Sequence, residues 1–127
     1  TTEIYTLSLH DALPILKIKE EGKYYQIIEH RQEKETGNIE KGIHYIPKEN
    51  VSNLFSILAQ IDADNCYKYR EIVPKIIKWY DLKCNVDAFN GGLNRKYYFN
   101  MYYYPVKILE AKGFIEYGGR GTIKLIN

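Results

Sequence analysis

The sequence lacks the features on which most enzymes and membrane proteins depend. No run of apolar residues approaches the roughly 20 that a membrane-spanning helix needs, and no signal peptide is visible. There is also no phosphate-cradling glycine loop, no nucleophile elbow and no HExxH zinc motif. We therefore expect a protein that is not an enzyme, holds no cofactor or metal, and has no membrane partner.

Cysteine is scarce. The two cysteines, Cys66 and Cys84, form no CxxC pair, which favours a reducing compartment and predicts a cytoplasmic location. His30 and His44 are the other candidate metal ligands, and we expect them to face each other across a strand pair. Two such histidines with two scattered cysteines are more often structural than a metal site.

The remaining composition is that of a folded protein with one unusual component. Of the 127 residues, 45% are hydrophobic and 27% are charged, so disorder is not expected. The length fits one ordinary domain or two very small ones that share a core. The sequence contains thirteen tyrosines but only four phenylalanines. Because tyrosine joins an apolar ring to a polar tip, this excess predicts half-buried surfaces and contact faces.

The first fifteen residues, TTEIYTLSLHDALPI, do not fit the pattern of a domain. They resemble the translation, in one reading frame, of a common short-read sequencing adapter. We expect residues 1–15 to be an artefact of a gene truncated at the edge of an assembled sequence, and we exclude them from fold reasoning. His10 and Asp11 therefore carry no functional weight. A native N-terminal strand is the alternative.

Residues 16–64 predict a β-hairpin followed by a helix. Alternating residues indicate strands at Lys23–Gln32 and Ile39–Ile46, preceded by the remnant of a strand at Leu16–Lys19. A three-residue loop at Thr36–Asn38 would set His30 opposite His44 and Ile28 opposite Ile46 on one face. A helix is predicted at Lys48–Ile61, and its apolar stripe is Val51, Leu54, Phe55, Leu58 and Ile61.

The order strand, charged turn, Lys41-Gly42-Ile43 strand and helix is similar to the positive cofactor four type of single-stranded-DNA-binding transcriptional coactivator. The resemblance implies a curved sheet that binds single strands and a helix that dimerises. Seven Lys/Arg against nine Asp/Glu give residues 16–64 a charge of −2, which argues against a nucleic-acid face. The alternative is a hairpin and helix that brace the rest of the chain or make a dimer.

Residues 65–127 are basic and predict helices that end in a second hairpin. Eleven Lys/Arg against five Asp/Glu give a charge of +6. After a linker at Asp62–Asn65, the predicted elements are a first helix at Tyr69–Leu82, a short helix at Val86–Phe89, a turn at Asn90–Gly92, the basic and aromatic segment Asn94–Tyr104, a helix that stops at Gly113, and strands at Phe114–Tyr117 and Thr122–Ile126.

The run PVKILEAKGFIEYGGRGTIKLI resembles the recognition helix and wing of winged helix-turn-helix DNA-binding domains. The resemblance implies an α+β fold in which an N-terminal β-hairpin and helix precede a winged helix at residues 65–127. It implies a helix in the major groove and a wing on the DNA backbone or minor groove. Carried over by position, the DNA-binding residues are Asn94, Arg95, Lys96, Asn100, Tyr103, Lys107 and Arg120.

Pro105 departs from this family pattern. It biases Tyr104 away from the right-handed helical region, so the helix is either kinked at Pro105 or starts anew there. Helical spacing divides the surrounding residues into two faces. The inward set is Tyr98, Met101, Tyr102, Ile108 and Leu109, and the outward set is Arg95, Lys96, Asn100, Tyr103 and Lys107.

The sequence thus predicts a transcriptional regulator, of microbial or viral source, whose partner is double-stranded DNA. Two alternatives stay open. In one alternative, the sheet formed by residues 16–64 binds single-stranded nucleic acid. In the other, the winged helix is a protein-interaction module whose tyrosine-rich surface contacts a partner. A homodimer is compatible with each of them.

Overall fold

The computed structural model describes residues 4–8, 15–61, 66–83, 92–118 and 121–126. The chain divides into two compact units, residues 1–49 and residues 50–127. The predicted mixed α+β class is confirmed. The expected linker Asp62–Asn65 and the expected short helix Val86–Phe89 lie outside the described residues, as does most of the turn at Asn90–Gly92.

The first unit is a four-stranded antiparallel meander in the order β1-β2-β3-β4. Its strands are β1 (Ile4–Ser8), β2 (Ile15–Glu21), β3 (Tyr24–Gln32) and β4 (Ile39–Pro47). The strands predicted from residue 16 onward are confirmed. Strand β1 pairs along β2 from Ile4↔Lys19 to Ser8↔Ile15, as expected where β-forming residues meet an open sheet edge. The adapter origin of residues 1–15 stays a prediction.

The predicted register of the β3–β4 hairpin is wrong. Ile27 lies opposite His44, Ile28 opposite Ile43, and His30 opposite Lys41. The loop is longer than three residues, because the Glu33 N–H donates to the Asn38 carbonyl at 2.8 Å and the Gly37 N–H to the Glu33 carbonyl at 2.9 Å. Since side chains alternate faces along a strand, this odd shift in pairing puts His30 and His44 on opposite faces of the sheet.

One face of this sheet is buried. It carries the apolar side chains of Leu16, Ile18, Tyr25, Ile27 and Ile46. Glu29 is buried on the same face at 3% exposure, and its carboxylate forms a salt bridge with the Arg31 guanidinium. A buried carboxylate needs such a partner, because moving a charged group out of water without one costs free energy. Apolar residues two apart therefore set which face of each strand is buried.

The second unit begins within helix α1 (Lys48–Ala59). It continues with β5 (Tyr67–Lys68), α2 (Tyr69–Tyr80), α3 (Arg95–Tyr97), a π-helical segment (Tyr98–Tyr103), α4 (Tyr104–Ala111), β6 (Ile115–Gly118) and β7 (Thr122–Leu125). The three strands form an antiparallel sheet in the order β5-β7-β6. Strand β7 is central, with Ile123 paired to both Tyr67 and Tyr117.

The predicted helices α1 and α2 are confirmed, but the buried stripe of α1 includes Ile57 in place of Phe55, and Ile61 lies beyond the helix and is half-buried. In α1 the buried residues are Val51, Leu54, Ile57 and Leu58. Phe55 is 38% exposed and contacts Phe114 edge to face at 5.5 Å between ring centroids. In α2 the buried residues are Ile72, Val73 and Ile76, whereas Trp79 is 44% exposed.

Segments α3, π and α4 follow one another directly and form what we call the long helix (residues 95–111). Pro105 does not end it, and the expected bias of Tyr104 is wrong, since Tyr104 is right-handed helical at φ −69°, ψ −41°. The Tyr104 N–H donates to the Phe99 carbonyl, five residues back instead of four. This wider turn accommodates a proline that cannot donate and whose ring would meet the carbonyl four residues earlier.

The long helix ends as predicted. Gly113 has φ +82°, a left-handed conformation that costs glycine little. The Phe114 N–H closes the end on the Leu109 carbonyl at 2.9 Å. Strands β6 and β7 follow after three residues, so the predicted hairpin comes directly after the end of the long helix.

Candidate nucleic-acid interface

The start of the long helix presents two cations. Arg95 and Lys96 are both exposed in its first turn. Asn94 stands immediately before them, and its side-chain oxygen accepts the Tyr97 N–H at 3.1 Å. This is the bond of a helix N-cap, for which asparagine is a preferred residue. Asn94 therefore fixes where the helix starts, while Arg95 and Lys96 project from its first turn.

Asn100 and Tyr103, two further predicted contact residues, are half-buried. The Asn100 carbonyl accepts a hydrogen bond from the Asn50 side-chain amide at 3.0 Å, which ties the π-helical segment to α1. The Tyr103 ring stacks on Tyr98 with centroids 5.9 Å apart. The Asn50 bond therefore fixes the middle of the long helix to α1, while the Tyr98–Tyr103 contact lies within the long helix itself.

Lys107 does not face outwards, so its predicted place in the outward set is wrong. It is 8% exposed, and its ammonium lies 4.2 Å from the ring centroid of Tyr117 and 5.5 Å from that of Tyr103. The Glu110 carboxylate, one turn along, is 3.7 Å from Nζ. Burial lowers the pKa of Lys107, and the neighbouring Glu110 partly offsets that effect. Lys107 therefore links the long helix to strand β6 through Tyr117.

Four tyrosines form a compact group, the tyrosine cluster, made of Tyr69 from α2 and Tyr98, Tyr102 and Tyr103 from the long helix. The Tyr69 ring meets Tyr102 at 4.8 Å and Tyr98 at 5.5 Å, both edge to face. Burial raises the pKa of Tyr98 and of Tyr102, and the neighbouring hydroxyls raise both further. Burial therefore favours the protonated hydroxyls of Tyr98 and Tyr102, and the ring contacts of the cluster fix α2 against the long helix.

The loop before the long helix is fitted to this cluster. The Tyr69 hydroxyl accepts the Leu93 N–H at 3.0 Å. A Cβ added at Gly92 would lie 2.5 Å from that hydroxyl and 3.0 Å from Cε1 of the same ring. Glycine is therefore required there because the backbone passes directly over the edge of an aromatic ring.

The predicted wing is described only in part. Strands β6 and β7 form the expected antiparallel hairpin, and Gly121 has φ +73° in its turn. Arg120, the predicted wing contact, lies outside the described residues. Its role stays a prediction from the sequence.

Sequence reasoning proposed the first of two further surfaces without its correct residues and missed the second. One is the outward face of the first sheet, where the corrected register aligns Lys17 with Ile28 and Ile43, and Lys19 with Gln26 and Tyr45. The other is a groove beside Trp79. A correct hairpin register would have revealed the residues of the first surface, whereas the second depends on how α1 and α2 meet.

Other kinds of site have little support in the described parts of the chain. No group of three or more His, Cys, Asp or Glu side chains there is placed to hold a metal ion. Every helix described is too short or too polar to cross a membrane.

The chain was also compared with known proteins. No protein-family model, no curated protein and no solved structure matches it.

Proposed function

We propose that the second unit is a winged helix-turn-helix that binds duplex DNA and that the protein acts as a transcriptional regulator. The observation that carries this proposal is the order of its elements: α1, β5, α2, the long helix, β6 and β7, with strands arranged β5-β7-β6. A winged helix has this same alternation of helix, strand, helix, helix and hairpin, with the early strand pairing to the last. This assignment differs from the sequence prediction, because α1 takes the place of α2 as the first helix; the long helix is the recognition helix.

Charge supports the same surface. Arg95 and Lys96 are exposed at the start of the long helix, and residues 65–127 carry a net charge of +6. A guanidinium can donate two parallel hydrogen bonds to guanine, while an ammonium pairs with a phosphate as a point charge. We assign base contact to Arg95 and phosphate contact to Lys96. Asn100 and Tyr103 are flanking contacts, and Arg120 is the proposed wing contact.

The contacts described above change the roles proposed for two residues. Asn94 serves the interface by capping the recognition helix, because its oxygen accepts the Tyr97 N–H. Lys107 serves it by holding the wing strand through Tyr117, because its ammonium is buried against that ring. Both are positioning residues: Asn94 fixes where the recognition helix starts, and Lys107 holds the wing strand against that helix.

The test is a titration of the full chain against a mixed-sequence duplex and its single strand, at low and at physiological salt. We expect the duplex to be preferred, with affinity that falls steeply as salt rises. The double variant Arg95→Ala/Lys96→Ala should bind more weakly. It should also reduce the slope of log affinity against log salt by about 0.9 for each phosphate that the variant no longer neutralises.

Lys23→Ala/Lys34→Ala is the matched control, because it removes the same charge from exposed positions of the first unit. It should retain duplex affinity. If both double variants bind alike, the assignment of Arg95 and Lys96 fails. If the wild-type chain binds neither duplex nor single strand, the winged helix is a protein-interaction module.

The outward face of the first sheet favours a second candidate, binding of single-stranded nucleic acid. Tyr45 is 56% exposed and Tyr24 48% on this face, and exposed Lys17 and Lys41 share it. Exposed rings on which bases stack, beside cations that follow the backbone, are the usual components of single-strand binding. The −2 charge of residues 16–64 opposes it, so we rank it second.

Competition between oligonucleotides separates the two candidates. If the sheet is the binding surface, the single strand displaces the duplex, and Tyr45→Ala weakens single-strand binding while Arg95→Ala does not. Phe55→Ala is the matched control, because it removes an exposed aromatic ring from α1 of the second unit. It should leave single-strand binding unchanged.

A further inference from the structure

A groove lies between α1 and α2 that the proposed DNA surface does not use. Ile57 and Gln60 line it on the α1 side, and Lys75, Lys78 and Trp79 line it on the α2 side. It encloses about 330 Å³. Beside it the Asn53 side-chain amide donates to the Tyr80 hydroxyl at 3.0 Å, which joins the two helices.

The groove combines an apolar floor with positive edges. Trp79 is 44% exposed although tryptophan is a residue that folding normally buries. Lys75 and Lys78 are both exposed and lie one turn apart on the same side of α2 as Trp79. The residues that line the groove include no carboxylate.

The carboxylates of α2 and its end do not line the groove. Glu71 is one turn before Lys75, but its carboxylate accepts the Lys68 N–H at 2.7 Å and caps the helix. Asp81 follows the last turn in a left-handed conformation and is exposed. The charge of Lys75 and Lys78 is therefore available to a partner that brings its own carboxylates.

We propose that this groove docks an acidic amphipathic helix of a partner protein, with an apolar side chain over Trp79 and carboxylates beside Lys75 and Lys78. Carboxylates three or four positions apart on one helix match two lysines that are three positions apart on another. A helix laid between two helices is a common mode of peptide recognition. The proposal does not depend on DNA binding.

Size and exposure favour a peptide over a small molecule. The volume is at the lower limit of ligand pockets, which bury most of their ligand. The lysines are exposed, so salt screens each ion pair and neither holds a small anion firmly. A peptide adds several carboxylates and one apolar anchor, and these together supply what a small ligand lacks.

Trp79 supplies the readout, because it is the only tryptophan in the sequence. The probe is a synthetic helical peptide that carries Glu at positions three and four apart, with one Leu on the same face and no Trp or Tyr. A matched peptide has Gln in place of each Glu. Titrated into the full chain, the Glu peptide should shift Trp79 emission to a saturating value, and the Gln peptide should bind about tenfold more weakly.

Two charge-reversal variants test the residues. Lys75→Glu/Lys78→Glu should weaken Glu-peptide binding at least about tenfold, because attraction becomes repulsion. Lys23→Glu/Lys34→Glu changes net charge equally but lies in the first unit, and should bind like the wild type. Circular dichroism confirms that each variant is folded, as expected for exposed positions.

Three outcomes would overturn the proposal. The first is the absence of a saturating change in Trp79 emission with the Glu peptide. The second is equal binding by the two charge-reversal variants. The third is saturation by a mononucleotide or by duplex DNA but not by the peptide, which would make the groove a nucleotide or nucleic-acid site.

Discussion

The first sheet divides the tyrosines of β3 and β4 between a buried and an exposed face, whereas the long helix keeps all of its tyrosines at least partly buried. In the first sheet Tyr24 and Tyr45 are 48% and 56% exposed, whereas in the long helix Tyr102 and Tyr104 are 6% and 3% exposed. A strand alternates its side chains, so a tyrosine next to a buried residue must face outwards. The long helix instead places successive tyrosines against α2 and β6. The abundance of tyrosine therefore locates no binding face until the element that carries each one is known.

Lysine shows the same contrast. Lys17 and Lys41 lie on an outward sheet face, while Lys107 is buried against two tyrosine rings and a carboxylate. A lysine among tyrosines satisfies its charge through ring faces and an ion pair instead of water. Among the described residues each unit buries one charged side chain, Glu29 in the first and Lys107 in the second, and each has an ion-pair partner.

The largest expected effect tests the faces of the first sheet. Ile27 is fully buried and its neighbour Ile28 is half-buried on the other face. Ile27→Ala should lower the free energy of unfolding by about 2–5 kcal/mol, because it leaves a cavity. Ile28→Ala should cost about 1 kcal/mol or less. Urea unfolding of both variants measures the difference. A larger loss of stability for Ile28→Ala than for Ile27→Ala would instead support the hairpin register predicted from the sequence, with its three-residue loop.

The next effect tests whether a polar residue belongs to the core of the second unit. Lys107→Met should destabilise the protein by about 2 kcal/mol, because it leaves the Glu110 carboxylate in a partly buried site without its cation. Lys96→Met, on the same helix but exposed, should stay within about 0.5 kcal/mol of the wild type. Adding Glu110→Gln should recover part of the loss. Equal effects of the two lysine variants would place Lys107 in water.

A glycine pair compares backbone fit in the two units. Gly92→Ala should lower the free energy of unfolding by about 1–2 kcal/mol, because the added Cβ would lie only 2.5 Å from the Tyr69 hydroxyl oxygen. Gly42→Ala should be neutral or slightly stabilising, since the nearest atom is the tip of the His44 side chain at 3.3 Å and a strand interior disfavours glycine. Thermal unfolding of both variants decides, and equal melting temperatures would refute the close approach at Gly92.

The smallest effect is a dependence on alkaline pH that originates in the second unit. Burial raises the pKa of Tyr98, Tyr102 and Tyr117. The stability that they contribute is complete below the ordinary tyrosine pKa of about 10 and is lost as pH rises above it, because the unfolded chain then gives up protons that the folded chain retains.

Lys107 acts in the opposite direction. Its lowered pKa means that burying its charge costs stability at lower pH, and this cost disappears as pH rises through its folded-state pKa. With three tyrosines against one lysine, we expect the free energy of unfolding to fall as pH rises above about 10. Tyr102→Phe/Tyr117→Phe should flatten that fall; an unchanged slope in this variant would exclude these two hydroxyls as its source.

Local patterns were sufficient for most of the secondary structure. Alternation of apolar residues located β3 and β4, and helical spacing located α1 and α2. Gly113 marked the end of the long helix because a left-handed residue there is readily supplied by glycine. Each of these signals acts within a few residues, so it can be read without knowing the rest of the fold.

The candidate site was harder to predict for reasons that are equally physical. Asn94 and Lys107 both looked available for DNA. The Asn94 side-chain oxygen instead accepts the hydrogen bond of a helix cap, and the Lys107 ammonium lies against two aromatic rings. Pro105 indicated a break, but a π-helical turn absorbs it. In each case the competing contact comes from geometry that residue spacing alone does not specify.

The sequence by itself determined the α+β class, the strands from residue 16 onward, the buried stripe of α1 in outline and the exposed cations Arg95 and Lys96, because hydrophobic periodicity and turn residues act locally. Only the tertiary structure decided the hairpin register, the order β5-β7-β6, the burial of Lys107 and the groove beside Trp79. These depend on contacts between residues far apart in the chain, where the lowest free energy is set by packing and by the pairing of buried polar groups.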